Sequence, residues 1–100
     1  MSVAFDDAPH PVEEPIVLYV CRAEDDAATV TVSVTDGVEA TPESLRMTSG
    51  DPEPSSVEVR LIGDSDGRVE VALAADGTGN GGTVSLDAVV DDGEWSLERP

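Results

Sequence analysis

The sequence predicts an all-β chain folded as an antiparallel, two-layer sandwich, and three features point there. Apolar residues recur at every second position in several separate stretches, the mark of a pleated strand with one buried face. Turn pairs such as Asp36-Gly37 and Asp92-Gly93 divide those stretches, and none of them shows the 3.6-residue period of an amphipathic helix. The apolar stock is also of the right kind: 15 of the 100 residues are valine, a branched side chain suited to pleated surfaces.

Residues 1–15 hold Pro9, Pro11 and Pro15 beside Asp6, Asp7, Glu13 and Glu14, which predicts an extended arm without regular structure, from which Val3 and Phe5 could dock. Residues 16–100 read as a single β domain. Residues 16–22 are apolar on both parities, as in a strand covered on both faces or one central to a small sandwich. Residues 29–35 alternate without a fault: Val30, Val32 and Val34 face one way, threonines and Ser33 the other. Asp36-Gly37 then tolerates the positive φ of a two-residue turn, so Val38–Thr41 is expected to return as a hairpin. Beyond Pro42, which cannot donate to a ladder and marks an edge or a change of sheet, Leu45 and Met47 keep the inward parity.

After a polar break at 49–55, Val57, Val59 and Leu61 alternate with Glu58 and Arg60. A turn at 63–67 and the series Val69, Val71, Leu73 predict a second hairpin. Residues 76–82 are too rich in glycine for an element. Val84, Leu86, Ala88 and Val90 then share one face, Asp92-Gly93 turns, and Trp95 and Leu97 cover the core while Glu94, Ser96 and Glu98 face water. About seven short strands at near-regular spacing predict an antiparallel sandwich of immunoglobulin-like type, with a small β-barrel as the alternative.

Asp and Glu number 22 against five arginines, at 22, 46, 60, 68 and 99, with no lysine, for a formal net charge of −17. Such a surface repels phosphate, so direct nucleic-acid binding and adhesion to anionic membranes are not expected. Val, Leu, Ile and Phe supply 24 of the 100 residues, above the roughly 20% needed for collapse, so the chain folds in spite of its charge. The acids are spread evenly along the sequence and form no tail. That dispersal fits whole-surface adaptation to molar salt, a halophilic setting, in which hydrated carboxylates keep a protein soluble. The alternative is an acidic mimic of a nucleic-acid backbone that inhibits a DNA- or RNA-binding protein, which needs the acids on one flank.

The single Cys21 rules out an internal disulfide and, lying in an apolar run, is expected to be a buried, inert thiol. Residues 1–14 have neither a cationic n-region nor a long apolar stretch, and the longest apolar run, Ile16–Cys21, is too short to cross a bilayer. The expectation is a soluble protein made in the cytoplasm without a signal peptide.

Over residues 40–59, Pro42, Ser44, Leu45, Thr48, Gly50, Pro54, Val57 and Val59 carry a pattern of Pro-x-Ser-Leu-x-aromatic-Thr, a polar proline-containing break, and Val-x-Val. This resembles immunoglobulin-like modules of bacterial and archaeal surface proteins, and covers about a fifth of the chain. Met47 stands where that pattern has an aromatic. The resemblance implies a β-sandwich.

Residues 77–82 formally contain G-x-G-x-x-G, yet a valine-rich strand follows where a dinucleotide site needs a helix N-terminus, so a hairpin loop is the expectation. Asp64, Asp66, Asp91 and Asp92 are candidate calcium ligands where two loops could meet at one end of the sandwich, although the spacing is not that of an EF-hand. The lone His10 lies between two prolines and is expected to be a solvated linker residue without the packed partners of a general base. With no nucleophile and base that can be set on rigid elements, the sequence predicts no enzyme and no cofactor beyond calcium. It points instead to a structural module that binds other protein subunits in a homo- or hetero-oligomeric assembly, such as a virion head, neck, tail or decoration protein. A calcium-dependent adhesive module is a further alternative.

Overall fold

A computed structural model describes residues 2–22, 27–48, 50, 54–63, 65–75 and 82–100. Among them are ten strands: Ser2–Ala4 (β1), His10–Pro11 (β2), Ile16–Cys21 (β3), Ala28–Val34 (β4), Val38–Thr41 (β5), Ser44–Met47 (β6), Ser55–Leu61 (β7), Gly67–Ala75 (β8), Gly82–Asp91 (β9) and Glu94–Glu98 (β10). They form a four-stranded sheet, β1-β3-β7-β5, and a six-stranded sheet, β2-β10-β9-β8-β4-β6, with every pairing antiparallel. Seven of the strands taken in chain order, β1, β3, β4, β5, β7, β8 and β9, reproduce the strand order of an immunoglobulin-type sandwich. The β1-β3-β7-β5 layer corresponds to A-B-E-D, and β4-β8-β9 to C-F-G. The short β2, β6 and β10 widen the second layer.

Alternation builds the interior. Leu18 and Val20 of β3, Val30 of β4, Val57 and Val59 of β7, Val69 and Val71 of β8, and Leu86 of β9 are all fully buried. Each contributes about 1.5–3 kcal/mol by leaving water. Trp95 and Leu97 close the seam from β10, and Trp95 is the bulkiest of the fully buried side chains. Val84 and Val90 pack at its margin.

Two expected hairpins do not form. β5 pairs with β7 and not with β4, and β7 pairs with β3 and β5 and not with β8. Alternation alone cannot tell a strand that returns beside its predecessor from one that crosses to the facing sheet, because either route points the same side chains inward. The crossing is held where the two connections meet. The carbonyl of Gly37, at φ +90°, accepts from the N–H groups of both Ile62 (2.8 Å) and Gly63 (3.0 Å), tying the β4–β5 turn to the end of β7. The expected Asp92-Gly93 hairpin is present, with φ +53° and +80° at its two turn residues. So is the antiparallel pairing of β8 with β9. The glycine loop before β9 lies, up to residue 81, outside the described residues.

β3 is covered on one face only: Ile16, Leu18 and Val20 are buried, whereas Tyr19 is 45% exposed. Cys21 shares the outer face and is half-buried, not buried, because β3 has solvent and not a third layer behind it. The proline-rich start is extended as expected, but residues 2–15 are attached to both sheets. β1 pairs with β3 and buries Val3, β2 pairs with β10, and Val12 donates to the Gly93 carbonyl at 3.1 Å.

Packing is close where Thr35 Oγ1 accepts the Arg68 N–H at 3.0 Å. A Cβ added at Gly67 would stand 2.6 Å from that oxygen and 2.8 Å from Val38 Cγ2. Gly67→Ala is therefore expected to cost about 1–3 kcal/mol, as overpacking does. Chemical denaturation of the two proteins measures this, and an unchanged midpoint would mean that β8 shifts freely at its start.

Candidate functional site

The described carboxylates keep to the outside. All are exposed except Asp87, which is partly covered, and they lie on both sheets, on the turns and along residues 6–14. Glu39 and Glu58 stand on the outer face of the four-stranded sheet; Glu70, Asp87, Asp91, Glu94 and Glu98 stand on that of the six-stranded sheet. Arg22 is the one buried charged residue among those described, and its Nη1 donates to the Thr48 carbonyl at 3.1 Å. Arg68 pairs with Asp87 at 3.3 Å across β8 and β9.

Of the candidate calcium ligands, Asp66 lies beside the end of β9, which carries Asp91 and leads into the turn at Asp92, so the two loops do meet at one end. Its Oδ1 accepts the Val90 N–H at 2.8 Å, an anchoring contact for the loop. Asp91 pairs with Glu94 across the turn, and Asp92 occupies the left-handed turn position. Asp64 lies outside the described residues. Among the described residues, no three His, Cys, Asp or Glu side chains converge as a metal-holding group.

His10 is not a solvated linker residue. Its side chain is 17% exposed, Nδ1 lies 3.1 Å from Glu14 Oε1, and Nε2 lies 3.5 Å from Asp6 Oδ2. The longer contact is not a hydrogen bond, and Nε2 is buried without one. The ring belongs to a clasp that presses the first segment onto β10: His10 sits opposite Trp95, and Trp95 Nε1 donates to the Glu14 carbonyl at 2.9 Å. Arg99 completes the clasp from the far end, donating to the Val3 carbonyl and lying over the Phe5 ring at 5.2 Å. The two ring nitrogens of His10 face different carboxylates, so the ring ties Asp6 and Glu14 into the clasp.

One depression of about 720 Å³ is open and shallow and contains the Arg68–Asp87 pair. Two smaller ones flank β10. One, about 240 Å³, has Pro9, Val89 and Trp95 in its floor and Asp91, Glu94 and Glu98 on its rim. The other, about 280 Å³, runs between Phe5 and Asp7 on one side and Leu97, Glu98 and Arg99 on the other. Glu98 contributes to both. Sequence parity puts Glu94 and Glu98 on one face of β10, but nothing in the sequence brings Pro9 or Phe5 beside them.

No family model, curated protein or solved structure matches the chain. Fold and surface together define its class: an acidic, all-β sandwich module.

Two outcomes test these contacts. Asp66→Ala is expected to cost about 1 kcal/mol through the loss of an acceptor for Val90, measured as a fall in the denaturation midpoint. Trp95→Phe should loosen the first segment, seen as faster hydrogen exchange at Val3 and Val12.

Proposed function

We propose that this chain is a non-enzymatic building block of a larger protein assembly working in high salt, of the kind that forms the head, neck, tail or decoration layer of a virus particle. The observation that carries the reading is the placement of charge. Carboxylates clothe both sheets and the turns around a dry valine interior, as solubility in molar salt requires. A nucleic-acid mimic needs its acids gathered on one flank, and the described ones are not.

Self-repulsion among these acids weakens as salt screens them, so the sandwich should be more stable in molar potassium chloride than in dilute buffer. The melting temperature is expected to rise by at least about 8 °C between 0.1 M and about 3 M salt, equivalent to ~1–2 kcal/mol for a domain of this size. Circular dichroism against temperature reads this directly. A salt-indifferent melting curve would remove the halophilic part of the proposal. Loss of all higher-order species in sedimentation across that salt range, in the presence of its co-expressed neighbours, would remove the assembly part.

A further inference from the structure

β3 carries more apolar surface than the fold covers. Its sequence is apolar on both parities, yet only Ile16, Leu18 and Val20 are buried between the sheets, and Val17, Tyr19 and Cys21 stand on the outer face of the four-stranded sheet. Tyr19, 45% exposed, lies in register between Ala4 of β1 and Ser56 of β7. Its four nearest neighbours on that face, Ala4, Val17, Cys21 and Ser56, are all uncharged. A large aromatic side chain left in water amid uncharged neighbours has the make-up of a contact centre and not of a solvated face.

Charge separates this face from the opposite one. Among the outward side chains of its four strands only Glu39, Glu58 and Arg60 are charged, two carboxylates against one guanidinium. The outer face of the six-stranded sheet sets Glu70, Asp87, Asp91, Glu94 and Glu98 against Arg46 and Arg68. For a chain of net charge −17, the four-stranded sheet is thus the side on which a like-charged molecule approaches with less repulsion.

We infer that the outer face of the four-stranded sheet binds a second copy of this chain, the two stacked face to face about a two-fold axis with Tyr19 of each near the centre. The face complements itself: each ring meets, in the other copy, a row in which Ala4 and Ser56 leave room for it. Glu58 and Arg60, neighbours of opposite sign on β7, let the carboxylate of one copy meet the guanidinium of the other. A basic partner is drawn instead to the more acidic sheet. Stacking also leaves the two six-stranded sheets outermost, about 30 Å apart at ~10 Å per layer, far beyond the Debye length of about 3 Å at 1 M salt. Four strands about 4.8 Å apart give a face roughly 20 Å wide, which sets the contact at the weak end of the size range, under about 1,200 Å² in total. The dimer is therefore expected to need salt. The inference rests on the interaction-module reading above and gives it a face and a partner.

The test follows the mass of the purified full chain by light scattering at rising protein concentration, in about 0.15 M and about 3 M potassium chloride. A monomer–dimer equilibrium that tightens with salt is expected, with dilution shifting the amide signals of β1, β3, β5 and β7 and not those of β8–β10. Tyr19→Ser should weaken dimerisation at least about 10-fold, since a two-fold contact loses the ring twice, and Tyr19→Phe should hold it within about 3-fold. Ser56→Glu should also weaken it at least about 10-fold, whereas Thr31→Glu, the same charge on the outer face of the six-stranded sheet, should change it less than about 2-fold. Circular dichroism checks that each variant keeps its strands. A chain that stays monomeric up to about 1 mM in the higher salt, or equal losses from Ser56→Glu and Thr31→Glu, overturns the inference. Sedimentation with the co-expressed neighbours is independent of that result, so the dimer face and the assembly reading can fail separately.

Discussion

The dry seam between two valine-faced sheets holds this molecule together against its own charge. Seventeen net negative charges on 100 residues oppose compaction, and only the removal of apolar surface from water opposes them in turn. Valine dominates that surface, so each strand contributes modestly and the interior depends on the number of strands that meet there. Residues from nine strands reach the buried core. The strict separation of carboxylates outside from apolar groups inside follows from this: a buried, unpaired carboxylate costs more than any single valine contributes.

The two ends of the chain are part of the same structure. β1 extends the four-stranded sheet while Arg99, next to the last residue, reaches back to the Val3 carbonyl and the Phe5 ring. Trp95 does similar work on the second sheet, filling the core with its ring and fastening Glu14 with its indole nitrogen. Three prolines keep the first segment extended, which lowers the entropy lost when it is laid across both layers.

Charge is dispersed, yet its local balance differs from place to place. Arg68 neutralises Asp87 across β8 and β9, and Arg60 stands in register with Glu39 across β7 and β5. Along β10, by contrast, Asp91, Glu94 and Glu98 have no arginine in register with them.

Period-two valine patterns, the turn pair at Asp92-Gly93 and the parity of Trp95 and Leu97 were enough to establish the class of fold, the inward face of nearly every strand and the exposure of the acids, because these depend on local geometry and on burial alone. The sequence misled at Asp36-Gly37 and at residues 63–67, where the chain crosses between sheets. Pairing partners are chosen by competition among distant strands, and a turn pair reports only that the chain bends. His10 and Cys21 were misplaced for a related reason. Exposure on the outer face of β3, or beneath a clasp made by Asp6, Glu14 and Trp95, depends on what packs from elsewhere in the chain. The depressions beside β10 are of the same kind: Glu94, Leu97, Glu98 and Arg99 lie within a few residues of sequence, but Phe5, Asp7 and Pro9 arrive from the far end of the chain, and only the fold brings the two together.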